Sequence, residues 1–225
     1  MSTLSKTGLF VVLVSLFVRA NAAAQWNAAR FGEGADVNRV YATFGVDPAF
    51  IGTLGLAHVV SLARHPLQLN AEGGIVVTKP GMRDFRARIG TQTSLMRWRS
   101  VGITGAAAFI TRGTENSVYQ GFDFGADLSA ALGVYRPRWF AAGEYGKDKA
   151  IITHLTHSEW YRTNFYAGAR DGWYLDAGGT YHYGVAGGIT LGSMEMAARV
   201  GLLRTERFNT LAVPIYASIG LGFGF

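Results

Sequence analysis

The sequence predicts an all-β fold: a single antiparallel transmembrane β-barrel of about twelve strands, with ten as the alternative count. Three observations carry this. Apolar residues recur at every second position in segments of roughly ten residues, the period of a strand with one apolar face. Of the 225 residues 49% are hydrophobic, with 30 glycines and only 5 prolines. Yet beyond the N-terminal region no stretch approaches the roughly eighteen unbroken apolar residues of a membrane helix.

The chain opens with Lys6 ahead of an apolar run, Gly8 to Val18, and then small-x-small sites at Ala20-Asn21-Ala22 and Ala22-Ala23-Ala24. This is the pattern of a secretory signal peptide over 1–24, too short to cross a bilayer as a helix; a retained anchor is the alternative. Its removal takes Lys6 and Arg19 and no acid, lowering the formal net charge from +6 to about +4. That charge is too mild and scattered to imply nucleic acid. The chain has no cysteine, so no disulfide frames it. Residues 25–35 have no clear period and read as a tether or short plug, leaving 36–225 for the barrel.

Val37 to Val46 is the first expected strand, closed by Asp47-Pro48. Phe50 to Ala63 runs to Arg64-His65-Pro66, and Leu67 to Thr78 ends at Lys79-Pro80-Gly81, where proline presets φ and glycine permits a positive one. Phe85 to Thr93 sets its own orientation. Arginine at a bilayer midplane costs about 2–4 kcal/mol, so Arg86 and Arg88 belong inside and Phe85, Ala87 and Ile89 outside. Val101 to Thr111 follows, with 112–120 expected as a polar loop. Phe122 to Val134 alternates most cleanly, turning Asp123, Asp127 and Ser129 inward. After Arg136-Pro137-Arg138, the strand at Trp139 to Tyr145 leaves Glu144 inside, and 146–158 reads as the largest loop. Tyr161 to Ala167 is expected to return as a strand to a turn at Arg170-Asp171-Gly172. Residues 173–191 keep one parity and divide best into a hairpin near Tyr181-His182-Tyr183. Met194 to Leu202 opposes Glu195 and Arg199, and 204–209 reads as a charged loop.

The last thirteen residues, Val213 to Phe225, alternate most strictly. Val213, Ile215, Ala217, Ile219, Leu221, Phe223 and Phe225 share one face, and small or weakly polar residues share the other. This ending resembles the terminal strand of Gram-negative outer-membrane β-barrel proteins, which close on alternating apolar residues and a final Phe. The resemblance implies location in the bacterial outer membrane, among its lipids and lipopolysaccharide. It also implies recognition by the barrel-assembly machinery, with Phe223 and Phe225 as the signal. An even strand count then puts both termini in the periplasm, with Arg64–Pro66, Arg136–Arg138, Arg170–Gly172 and Gly192-Ser193 as periplasmic turns. Trp139 and Trp173 would follow two of these turns as an aromatic girdle.

The expected lumen collects Glu72, Asp123, Asp127, Glu144, Asp176 and Glu195 with Arg86, Arg88, Arg162 and Arg199. Such charges either tune a hydrated channel or pair with each other in a filled interior. Inward glycines at 220, 222 and 224 leave room for water. The His154, His157 and Glu159 cluster has metal-ligand types, but its spacing presets no geometry and it reads as a solvated loop. His58 shares parity with Leu56 and Val60 and reads as an interfacial histidine; Ser61 lies on the opposite face. The expectation is therefore a passive small-solute channel or a non-catalytic surface barrel, without cofactor or metal. An outer-membrane hydrolase acting on lipid or lipopolysaccharide is the alternative.

Overall fold

In the computed structural model of the chain, residues 26–31, 37–46, 49–62, 65–78, 83–206 and 214–225 are described. The expected signal peptide, residues 25 and 32–35 of the expected tether, the turns expected at 47–48, 63–64 and 79–82, and residues 207–213, from the expected charged loop to the start of the expected last strand, lie outside them. Ten antiparallel strands form one closed barrel. They are β1 Asn38–Val46, β2 Phe50–Leu62, β3 His65–Val76, β4 Phe85–Trp98 and β5 Val101–Glu115. After these come β6 Tyr119–Arg136, β7 Trp139–His157, β8 Gly172–Leu191, β9 Met194–Thr205 and β10 Ile215–Gly224. Each pairs with its neighbours in sequence, and β10 closes on β1 from Arg39 opposite Gly224 to Val46 opposite Ala217. Phe225 N–H and C=O exchange hydrogen bonds with Asn38 at 2.9 and 3.1 Å, so the seam is bonded to its end.

The strand number is ten, the alternative count and not twelve, because two segments behave differently from their patterns. Residues 173–191 form one strand, β8, and not a hairpin. Their unbroken parity is that of a single 20-residue strand, and Tyr181, His182 and Tyr183 pair in its middle with Lys147, Gly146 and Tyr145 respectively. Tyr161 to Ala167 is not a strand. Glu159–Asn164 forms a short helix, α1, whose N-cap Ser158 accepts from the Tyr161 N–H at 3.1 Å with Glu159 in the first turn. The Arg170–Gly172 turn therefore belongs to the same connection as α1, at the end of the barrel opposite the termini, and Trp173 with it. Trp139 sits at the termini's end, beside the Pro137-Arg138 turn.

The loops expected at 112–120 and 146–158 are largely strand. β5 runs to Glu115, β6 starts at Tyr119 and β7 reaches His157. These stretches looked like loops because both faces are polar there, as in Lys147-Asp148-Lys149, and the period-2 contrast vanishes. β6, β7 and β8 have 18, 19 and 20 residues against 9 and 10 for β1 and β10. One side of the barrel thus rises as a wall with α1 on its crest.

The outer surface is an apolar belt, with Leu54 70% and Phe109 75% exposed, and Ile89, Leu128 and Ile219 similarly bare. From Leu191 to Tyr181 on β8 the strand climbs about 33 Å, or roughly 25 Å along the axis at a tilt of about 40°, the height of a bilayer's apolar band.

Candidate functional site: the barrel interior

The strand pleat turns every second residue of the belt inward, and those residues are charged, polar, aromatic or small. They fill the interior in layers. At the end carrying the termini, residues 26–31 enter the barrel as a plug around a 3₁₀ turn, Ala28–Arg30. Trp26 is fully buried, edge-on to Tyr41 at 5.2 Å, with the Arg39 guanidinium 4.8 Å above its ring. Gln92 accepts from the Trp26 N–H at 3.4 Å and donates to its carbonyl at 3.2 Å. The Asn27 backbone N–H donates to Glu195 at 2.7 Å, and Arg39 pairs with the other oxygen of the same carboxylate at 2.9 Å. Asn27 and Arg30 side chains then donate to the turn carbonyls of Arg136 and Gly192, each at 2.7 Å.

Above the plug, the Tyr41 hydroxyl donates to Glu72 at 2.8 Å, and Arg88 lies 3.6 Å from both Glu72 and Asp127. Asp127 also meets His182 Nε2 at 3.1 Å. Beside them, Arg199 reaches Glu144 at 2.8 Å while the Tyr216 hydroxyl donates to Glu144 at 2.5 Å. Higher still, Arg112 binds Asp148 through two 2.9 Å bonds and Asp123 through a third. Arg86 is buried on the same inner face. Ionised groups this deep persist because they stand against opposite charges, most of them through hydrogen bonds; alone, each would cost several kcal/mol. Among Asn70, Arg88, Gln92, Thr104, Glu144 and Arg199 lies a cavity of about 20 Å³, room for about one water.

Two residues expected in the lumen are elsewhere. Arg162 is on α1, where it pairs with Asp171 in the loop beyond the barrel, because its segment is helical. Asp176 has φ +55°, at a bulge where two residues of β8, Asp176 and Ala177, stand against one of β7, Ile151. The kink turns its carboxylate, 74% exposed, out to Lys149. The space above Gly220 and Gly222 holds no water channel, since a Cβ at either would stand 3.5 Å or less from the Trp26 ring.

Periodicity missed Arg39, Tyr41, Arg112, Asp148, His182 and Tyr216. Arg112 and Asp148 fell in apparent loops. Tyr and His carry too little polarity to mark an inward face, though inward parity with Glu144 on the paired strand would have found His182 through the register. His154 faces outward against the Trp173 ring at 4.9 Å, while His157 stacks on Tyr161 at 5.6 Å and bonds Asp171 at 3.2 Å. The two thus serve opposite sides of the wall, with Glu159 in α1. His58 faces outward and its Nδ1 meets Asn38 Oδ1 at 2.9 Å. In the loop, the Arg162 guanidinium and the His157 N–H hold the Asp171 carboxyl well below the usual carboxylate range.

No family model and no characterised protein sequence matches the chain. Among solved structures it is similar to Ail, the attachment invasion locus protein of Yersinia pestis, at 10% identity and a TM-score of 0.37, over 84% of this chain and 97% of that one. It is also similar to LpxR from Salmonella typhimurium at 11% identity and a TM-score of 0.34, over 79% and 74% of the two chains. Likeness at this level carries no functional argument, and the chain's own residues must supply it.

Proposed function

We propose that this chain is an integral barrel of the bacterial outer membrane, with the termini's end in the periplasm, and that it is a closed surface barrel and not a solute channel. The apolar belt and its height support the membrane setting. The paired, plugged interior is the observation that carries the non-conducting reading: ions would have to break several buried salt bridges and displace Trp26 to pass. What the protein then offers is its surface, with the wall of β6–β8 and α1 standing above the outer leaflet. Its partners in this reading are outer-membrane lipid and lipopolysaccharide, and during assembly the barrel machinery at Phe223 and Phe225. No cofactor enters it. Purified protein in planar lipid bilayers, its insertion verified by a heat-modifiable gel band, should show no discrete conductance. Stepwise openings of the wild type would overturn the proposal.

A further inference from the structure

On the outer face, β7, β8 and β9 align their outward residues in rows. Ala141, Gly187 and Ala198 are direct neighbours, and so are Gly143, Val185 and Val200 one pleat higher. Where most of the belt carries Leu, Ile or Phe, these rows are mainly small, and bulkier Leu132, Phe44 and Ile219 stand at their sides. The result is an apolar groove of about 860 Å³ on the lipid-facing surface, within the range of roughly 300–1,000 Å³ typical of ligand sites.

Directly above the groove the rows change character. Tyr145 pairs with Tyr183, and in the next outward row Lys147, Tyr181 and Arg204 stand side by side. Tyr145 stacks on Tyr181 at 6.2 Å, and the Lys147 ammonium lies 5.2 Å from the Tyr181 ring centre. One row further, Lys149 pairs with Glu206 at 2.6 Å, and Glu206 also holds Lys147 at 2.7 Å. Asp176 is the second carboxylate here, on Lys149. Three cations meet two acids, so the cluster is net positive, and Arg204 makes no ion pair among the described residues. Apolar groove, aromatic collar and cations follow one another in the order of an amphiphile's chains, interface and anionic head.

We infer that this face is a docking site for a phosphorylated, multiply acylated glycolipid of the outer leaflet, the lipopolysaccharide class. Its acyl chains lie over Gly143, Gly187 and Ala198, and a phosphate rests on Lys147 and Arg204. The inference rests on the outer-membrane reading above, which puts this end of β7–β9 at the outer leaflet. A second copy of the chain is a poorer occupant: a concave face set against the same concave face leaves a void, and close packing is what associates apolar surfaces within lipid.

The test uses full-length protein in phosphatidylcholine nanodiscs, titrated with lipopolysaccharide, deacylated lipopolysaccharide and phosphatidylglycerol. Wild type should prefer lipopolysaccharide to phosphatidylglycerol. Lys147→Gln with Arg204→Gln should weaken lipopolysaccharide binding by on the order of tenfold. Gly143→Leu with Ala198→Leu, facing lipid, should fill the groove and weaken binding of the acylated form while sparing the deacylated one. A Cβ at Gly143 meets nothing nearer than 4.0 Å, so these changes leave the barrel intact. Equal binding of both lipids, or variants that bind as wild type does, would overturn the site alone. Protein that never gives a heat-modifiable, membrane-inserted band would overturn the barrel reading and the site with it.

Discussion

Arg112→Met is the sharpest perturbation of the interior. The guanidinium makes two 2.9 Å bonds to Asp148 and a third to Asp123 while only 4% exposed, and Asp148 is 3% exposed. Methionine roughly matches the volume and removes the charge, so Asp123 and Asp148 lose the guanidinium they share, and Arg86, the neighbour of Arg112 on β4, is the cation left near Asp148. Breaking one partner out of a buried pair costs about 3–5 kcal/mol. With a denaturant slope of about 1–3 kcal/mol per molar urea, the unfolding midpoint should fall by roughly 2 M. Adding Asp123→Leu, with Asp148 kept for Arg86, should recover part of that loss, because it removes one of the two carboxylates that Arg112 had paired. The assay is urea unfolding in lipid vesicles, followed by tryptophan emission and by the heat-modifiable band. A midpoint shift worth less than about 1 kcal/mol for the single variant would refute the reasoning. Such a value belongs to solvent-screened charges, as in an open, hydrated lumen.

Trp26→Ala should cost about 3–5 kcal/mol by cavity formation and still give no conductance, since the ion-pair layers above it remain closed; unfolding and bilayer recordings read the two halves separately. Deleting Phe225 should reduce assembly into the outer membrane far more than it alters protein already inserted, measured as the heat-modifiable fraction of the membrane pool. Normal insertion would count against its role as an assembly signal. Asp171 gives a pH signature: its folded-state pKa lies below the unfolded value, so its contribution is present above about 3.9 and is lost as pH falls through the lower folded value. The protection of the α1 amides, taken relative to their intrinsic base-catalysed exchange rates, should therefore be unchanged between about pH 7 and 5, and Asp171→Asn should lower it already at pH 7. An unaltered variant would remove Asp171 from the loop's support.

The sequence by itself determined that the chain is a single antiparallel barrel with an apolar outside, and the side to which Arg86, Asp127, Glu144 and Arg199 turn. Alternation reports only which face a side chain takes, and for a sheet with an apolar outside and a polar inside that is most of the fold. Above the apolar belt both faces are polar, so the signal disappeared there: β6 and β7 looked too short, and Arg112 and Asp148 passed as loop residues. A helix capped by Ser158 and a kink at Asp176 are local backbone decisions of a few residues, invisible to any period, and they carried Arg162 and Asp176 away from the lumen. How the inward charges meet was a tertiary question. Parity lines charges along the inside of each strand, but only register and barrel curvature set Arg112 against Asp148, Arg88 between Glu72 and Asp127, and Trp26 over Gly220 and Gly222. Pairing across strands distant in sequence is what turned a row of inward charges into buried ion pairs.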